Sequence, residues 1–163
     1  MQAVQKMKRN ADSAGQAAIE FALMVVFLMV FILSILQLIG VIHTYVVLAD
    51  SAKAGVRYAI VHGTGRGTAG CSGPGGTGVT CTDSAGANVK SAALNYARLS
   101  FHAIAASHVT VDYNPNSANG TACSSDNPSC LVRVTVAYPY QPLFGFSWPS
   151  VTVRAASEGR IIY

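Results

Sequence analysis

GQAAIEFALMVVFLMVFILSILQLIG, Gly15–Gly40, places a single acid, Glu20, at the edge of a long apolar run. From Phe21 to Ile42 the run is 22 residues, interrupted only by Ser34, Gln37 and Gly40. A helix needs about 20 residues to cross a hydrocarbon core. A cleavable secretory signal carries only about 7–15 apolar residues before a small-residue site. The run is longer than that and nothing like A-x-A closes it, so a retained membrane helix is expected. Lys6, Lys8 and Arg9 precede it, which predicts a cytoplasmic amino end. The chain after about His43 is then expected outside the membrane. There is no second run of this length, so the expected topology is single-pass.

Charge and cysteine usage agree with that division. Only 11% of the 163 residues are charged. Three basic residues and one acid fall before Gly15, and eight basic and six acidic residues follow it. No basic stripe is interleaved with aromatics, which argues against nucleic-acid binding. Cys71, Cys81, Cys123 and Cys130 all lie on the exported side. An even number of cysteines in an oxidising compartment predicts two disulfides. Three pairings are possible. Cys71–Cys81 with Cys123–Cys130 is favoured, because each pair brackets a loop rich in Gly, Ser, Pro and Asn. A zinc site is the rival, but no C-x₂-C spacing is present and the histidines are scattered. Neither a metal nor a cofactor is expected.

The chain divides into a polar leader (1–15), a transmembrane helix with an extramembrane extension (16–62), and a small domain (63–163). The extension TYVVLADSAKAGVRYAIVHG contains no Pro, and Ala49, Ala52, Val56, Ala59 and Ile60 recur at helical spacing. The loop after it contains G-R-G-T-A-G, Gly65–Gly70. That formally matches a dinucleotide fingerprint, but a helix rather than a strand precedes it. A second helix is predicted over Ala87–Ser100, with Asp83 or Ser84 as its cap. Three strands follow: His108–Tyr113, Leu131–Tyr138 and Val151–Ala155. Each alternates apolar and polar residues, as suits an antiparallel sheet covered on one face. The expected class is α+β: a membrane helix continued as a stalk, then a small domain with a second helix and a three-stranded sheet.

Glu20 read alone is an acid facing the headgroups. It does not stand alone. A basic leader ending in Gly15, four residues of which most are small or polar, Glu20, then an unbroken apolar helix resembles the class III signal of type IV prepilins. The resemblance implies cleavage by a membrane prepilin peptidase after Gly15, with Gln16 as the new amino terminus. A glycine there leaves the backbone open to a protease. A carboxylate one turn from a free amino terminus complements the helix dipole. It can pair with the ammonium of its own or a neighbouring chain, which would set axial register in a bundle. Glu20 and Phe21 are therefore the expected assembly residues.

The pattern is most similar to the TadE-like family, pseudopilins of the tight-adherence (Flp, type IVb) pilus system. The residues that carry the likeness are GQAAIEFAL (Gly15–Leu23), AKAGVRYA (Ala52–Ala59), AYPYQPLFGF (Ala137–Phe146) and VTVRAASEGRI (Val151–Ile161). The resemblance implies a minor pilin or assembly factor in the bacterial inner membrane, with a periplasmic carboxyl-terminal domain, either staying there or entering the pilus. Its implied partners are prepilin peptidase, other pilin or pseudopilin subunits, the inner-membrane assembly platform and membrane lipid. Gln16 departs from the apolar first residue usual in major pilins. Lys53-Ala54 stands where relatives commonly have Arg-Glu.

Two features are candidate contact sites. Arg57 could bond lipid phosphates or a partner. Leu143, Phe144, Phe146 and Trp148 form an apolar stretch expected in a loop, as a lid on the core or a contact with a subunit or the membrane interface. No G-x-S-x-G, no H-E-x-x-H and no paired carboxylates occur, so an enzyme is not expected. The rival to the pilin-like reading is an uncleaved, signal-anchored periplasmic binding module.

Overall fold

A computed structural model describes residues 2–63, 72, 83, 86–100, 103–113, 115, 129–142 and 151–162, with side chains of the first helix from residue 15 onward. Helix α1 runs from Gln2 to Val61. It therefore includes residues 2–14, which contain no proline and hold three Ala, two Gln and two Lys, all good helix formers. Contacts divide the chain into two units, Met1–Ile39 and Gly40–Tyr163. The boundary falls inside α1, so its last turns belong to the folded domain.

The first unit is helix alone. Large apolar side chains are exposed around its whole circumference from Ile19 to Ile39, as expected of a segment whose solvent is lipid or other helices. Gly15–Val61 is long and apolar enough to cross a membrane. The Ser34 hydroxyl donates to the Val30 carbonyl at 2.8 Å, which satisfies a hydroxyl inside the span without a partner helix.

The second unit contains α1 from Gly40, helix α2 (Ala87–Ala97), a single 3-10 turn (Ala106–His108) and strands β1 (Val109–Asp112), β2 (Leu131–Tyr140) and β3 (Val151–Arg160). The strands form an antiparallel sheet in the order β1-β2-β3. One sheet face carries Val109, Val132, Val134, Val136, Tyr138, Tyr140, Val153 and Ala155. They join Leu48, Ala52, Val56 and Ala59 of α1 and Val89 and Ala93 of α2 in one core. The α+β class and the three-stranded antiparallel sheet expected from the pattern are both present.

Several boundaries differ from the sequence reading. α2 stops at Ala97 rather than Ser100, because Leu99 and Ser100 bond three residues back, to Tyr96 and Ala97, and the last turn tightens. β1 starts at Val109 because the chain is still turning at His108. β2 continues through Pro139 and Tyr140, which pair with Thr152 and Val151. β3 is twice its expected length, since Ala156–Arg160 pair with Leu131–Thr135.

The longer β3 shows how the helix is seated. Its inward positions are small after Val153: Ala155, Ser157 and Gly159. At Gly159 a β-carbon would lie 2.6 Å from both Val56 Cγ1 and Ile60 Cδ1. α1 lies close against the sheet there, and glycine makes room for it. Gly55 does the same from the helix side, where a β-carbon would meet Val134 at 3.1 Å and Ala93 at 3.3 Å. The Ser51 hydroxyl donates to the Ala93 carbonyl at 2.7 Å, tying α1 to α2.

The carboxyl end of α1 is closed by tertiary partners. A helix end leaves its last carbonyls unmet. Here the Tyr58 carbonyl accepts from His62 Nδ1 at 2.9 Å, and the Ile60 carbonyl accepts from the Ile162 amide at 3.1 Å. The His62 ring stacks on Tyr58 with centroids 4.0 Å apart. At the other helix, Asp83 takes the capping role: its carboxylate accepts from the amides of Ala87 and Asn88, the latter at 2.9 Å. Gly86 fills the cap position in the left-handed conformation, φ 66°.

Candidate functional site

Gly15 sits within α1, and a β-carbon built on it would meet nothing within 4 Å. Neither packing nor a positive φ requires glycine there. A glycine inside a helix costs about 1 kcal/mol relative to alanine, and no contact of the folded chain recovers that cost. One turn on, Gln16 Nε2 donates to Glu20 Oε1 at 3.3 Å. Both residues are exposed, and Phe21 beside them is 71% exposed. The site is thus a glycine with open surroundings, an amide–carboxylate pair across one turn, and a phenylalanine directed outward.

Further along, the Gln37 side-chain oxygen accepts no hydrogen bond from any described residue. An unfilled acceptor within an apolar span is costly unless another helix fills it.

Arg57 is exposed on the outer side of α1. Its neighbour Lys53 is bound to Asp50 at 3.2 Å, with both side chains more than half exposed; such a pair contributes little stability. Arg57 lies 15 residues beyond Ile42 on one continuous helix, about 22 Å at 1.5 Å per residue. A headgroup layer is only about 5–8 Å deep on each side.

Cys130 is buried and disulfide-bonded. Cys71, Cys81 and Cys123 lie outside the described residues, as do Leu143, Phe144, Phe146 and Trp148 and the Gly65–Gly70 motif. Among the described residues no group of three or more His, Cys, Asp or Glu side chains is placed to hold a metal.

A family model described as TadE-like protein matches residues 15–57. Over this segment the chain is similar to the TadE-like family. The match opens at Gly15 and closes at Arg57, so it takes in the glycine, Glu20, the whole apolar run and the first part of AKAGVRYA. No curated protein and no solved structure matches the chain. The TadE-like family is a structural pilin family rather than an enzyme family, and the match supports a pilus-related role in general.

Sequence reasoning passed over Gly159 and the Ser51–Ala93 tie. For Gly159 a signal existed: a glycine inside a strand marks a close backbone approach. Ser51 carried none, since serine is common on solvated helix faces.

Proposed function

We propose that this chain is a pseudopilin or minor pilin of a tight-adherence (Flp, type IVb) pilus, cut by prepilin peptidase after Gly15 and acting in assembly for surface adhesion. The observation that carries the reading is Gly15 itself. The TadE-like match begins there, yet the folded chain has no use for a glycine at that position. A requirement from outside the fold accounts for it: an unobstructed backbone for a protease acting on the cytoplasmic side. After cleavage, Gln16 carries the free ammonium, and Glu20 lies one turn away on the same helix. The Glu20 carboxylate already receives a hydrogen bond across that turn and is open to the amino terminus of a neighbouring subunit.

The helix exposes apolar side chains all round, as a bundle of like helices or a bilayer would each require. The same helix keeps the protein in the inner membrane before assembly, with the chain after about His43 in the periplasm. Cross-linking of the loops by Cys71–Cys81 and Cys123–Cys130 suits that compartment.

The test is the intact mass and amino-terminal peptide map of the protein from native membranes. A chain that starts at Gln16, and a Gly15→Leu variant that stays full-length, would support the reading. A wild-type chain still starting at Met1 with the peptidase present would refute it, and would leave the anchored binding module in its place.

A further inference from the structure

One polar group in the apolar span makes no bond with any described residue. Between Phe21 and Ile42 the polar side chains are Ser34 and Gln37. The Ser34 hydroxyl is met by the Val30 carbonyl at 2.8 Å. Gln37 is half-buried, and its side-chain oxygen, shut off from solvent, accepts nothing from the described residues. Ile35, Leu36, Leu38 and Ile39 beside it are 43–59% exposed, so the amide stands among aliphatic side chains. Gln37 belongs to the helical unit Met1–Ile39, apart from the folded domain.

Depth makes this costly. The centre of the run falls between Phe31 and Ile32. Gln37 lies about 8 Å from that centre along the helix, inside a hydrocarbon half-layer of about 15 Å. No water competes there, and a polar side chain without a partner bears its full desolvation. The amide itself says what partner suits it. A carboxamide has two N–H donors and an acceptor oxygen, so two of them can satisfy each other. Copies of this chain inserted with the same end in the cytoplasm hold Gln37 at the same depth. The last side-chain torsion of glutamine is broad, so rotation brings the shielded oxygen to the open side of the residue.

We infer that two copies of α1 pair in parallel within the bilayer through Gln37, the side-chain N–H of each donating to the side-chain oxygen of the other. The pair sets the two helices at equal height, as a buried polar residue fixes register in a parallel coiled coil. Equal height is not the arrangement of the proposed fibre contact. Glu20 reaching a neighbour's Gln16 offsets the helices by four residues, about 6 Å. The Gln37 pair therefore belongs to the membrane-held chain before assembly. The pairing rests on α1 spanning a bilayer, and only its timing rests on the proposed pilin role.

The experiment uses donor- and acceptor-labelled full chains, tagged at the carboxyl end, in vesicles of phosphatidylethanolamine and phosphatidylglycerol that contain no peptidase. Energy transfer is followed as lipid dilutes the protein. Wild-type transfer should persist to a dilution about 3–30-fold beyond that at which Gln37→Leu loses it, as expected for interhelical hydrogen bonds in lipid. Gln37→Asn keeps the carboxamide and should retain most of that difference. Equal transfer by wild type and Gln37→Leu would overturn the pair. Wild-type chains that stay apart at every dilution would also overturn it, and would assign the amide to lipid or another subunit. Chains stripped from the vesicles by alkaline carbonate would overturn the membrane span together with the pair. With no peptidase present, a failure of cleavage after Gly15 leaves each of these readouts unchanged.

Discussion

Gly159→Ala tests the seating of α1 on the sheet directly. The new methyl would arrive 2.6 Å from Val56 Cγ1, 2.6 Å from Ile60 Cδ1 and 3.1 Å from Ile60 Cγ1, where carbon atoms normally rest about 3.5–4.0 Å apart. Ile60 is half-buried and its terminal methyl can swing aside. Val56 is 4% exposed and β-branched on a helix, where one χ1 rotamer dominates, so it cannot yield without moving α1. Overpacking of this kind costs about 1–3 kcal/mol. Replacing a strand glycine recovers about 0.5–1 kcal/mol. The expected net loss is about 1–2 kcal/mol, roughly a 5–30-fold fall in the folded-to-unfolded ratio. Thermal unfolding of the full chain in detergent micelles, followed by near-ultraviolet circular dichroism, reads this loss. Val56→Ala alone also destabilises, by opening a cavity. Combined with Gly159→Ala it should cost less than the two losses added, by about 1 kcal/mol of coupling. A Gly159→Ala protein as stable as wild type, or strictly additive losses, would show that the helix does not approach β3 as described.

Three further outcomes are expected. Glu20→Ala should insert in the membrane and accumulate normally, yet abolish pili counted by electron microscopy; normal piliation would remove the register role. Asp83→Ala removes the acceptor for two α2 amides and should cost about 1 kcal/mol of stability, readable in the same melt. Burial raises the Tyr140 phenol above its ordinary 10.0. The folded state therefore holds that proton more tightly, and the stability it contributes is intact below pH 10 and lost as pH rises through the folded value. Tyr140→Phe should accordingly lose less stability than wild type on going to strongly alkaline pH, and parallel curves would exclude the linkage.

Much of the architecture is local in origin and was legible residue by residue. An apolar run from Phe21 to Ile42 can only be a helix where backbone groups have no water to bond. Alternation at Val132, Val134, Val136 and Tyr138 needs no partner to declare a one-sided strand. The glycine–glutamate spacing at Gly15 and Glu20 is equally local, since it lies along one chain.

Other features depend on what packs against what. Ser157 and Gly159 do not read as a strand face by hydropathy. They form one because α1 packs against them, and at Gly159 a β-carbon would already collide with Val56 and Ile60. The reach of β3 to Arg160 follows from its pairing with β2, not from its own composition. Periodicity tells each segment which side is apolar; the shared core alone decides which ends meet.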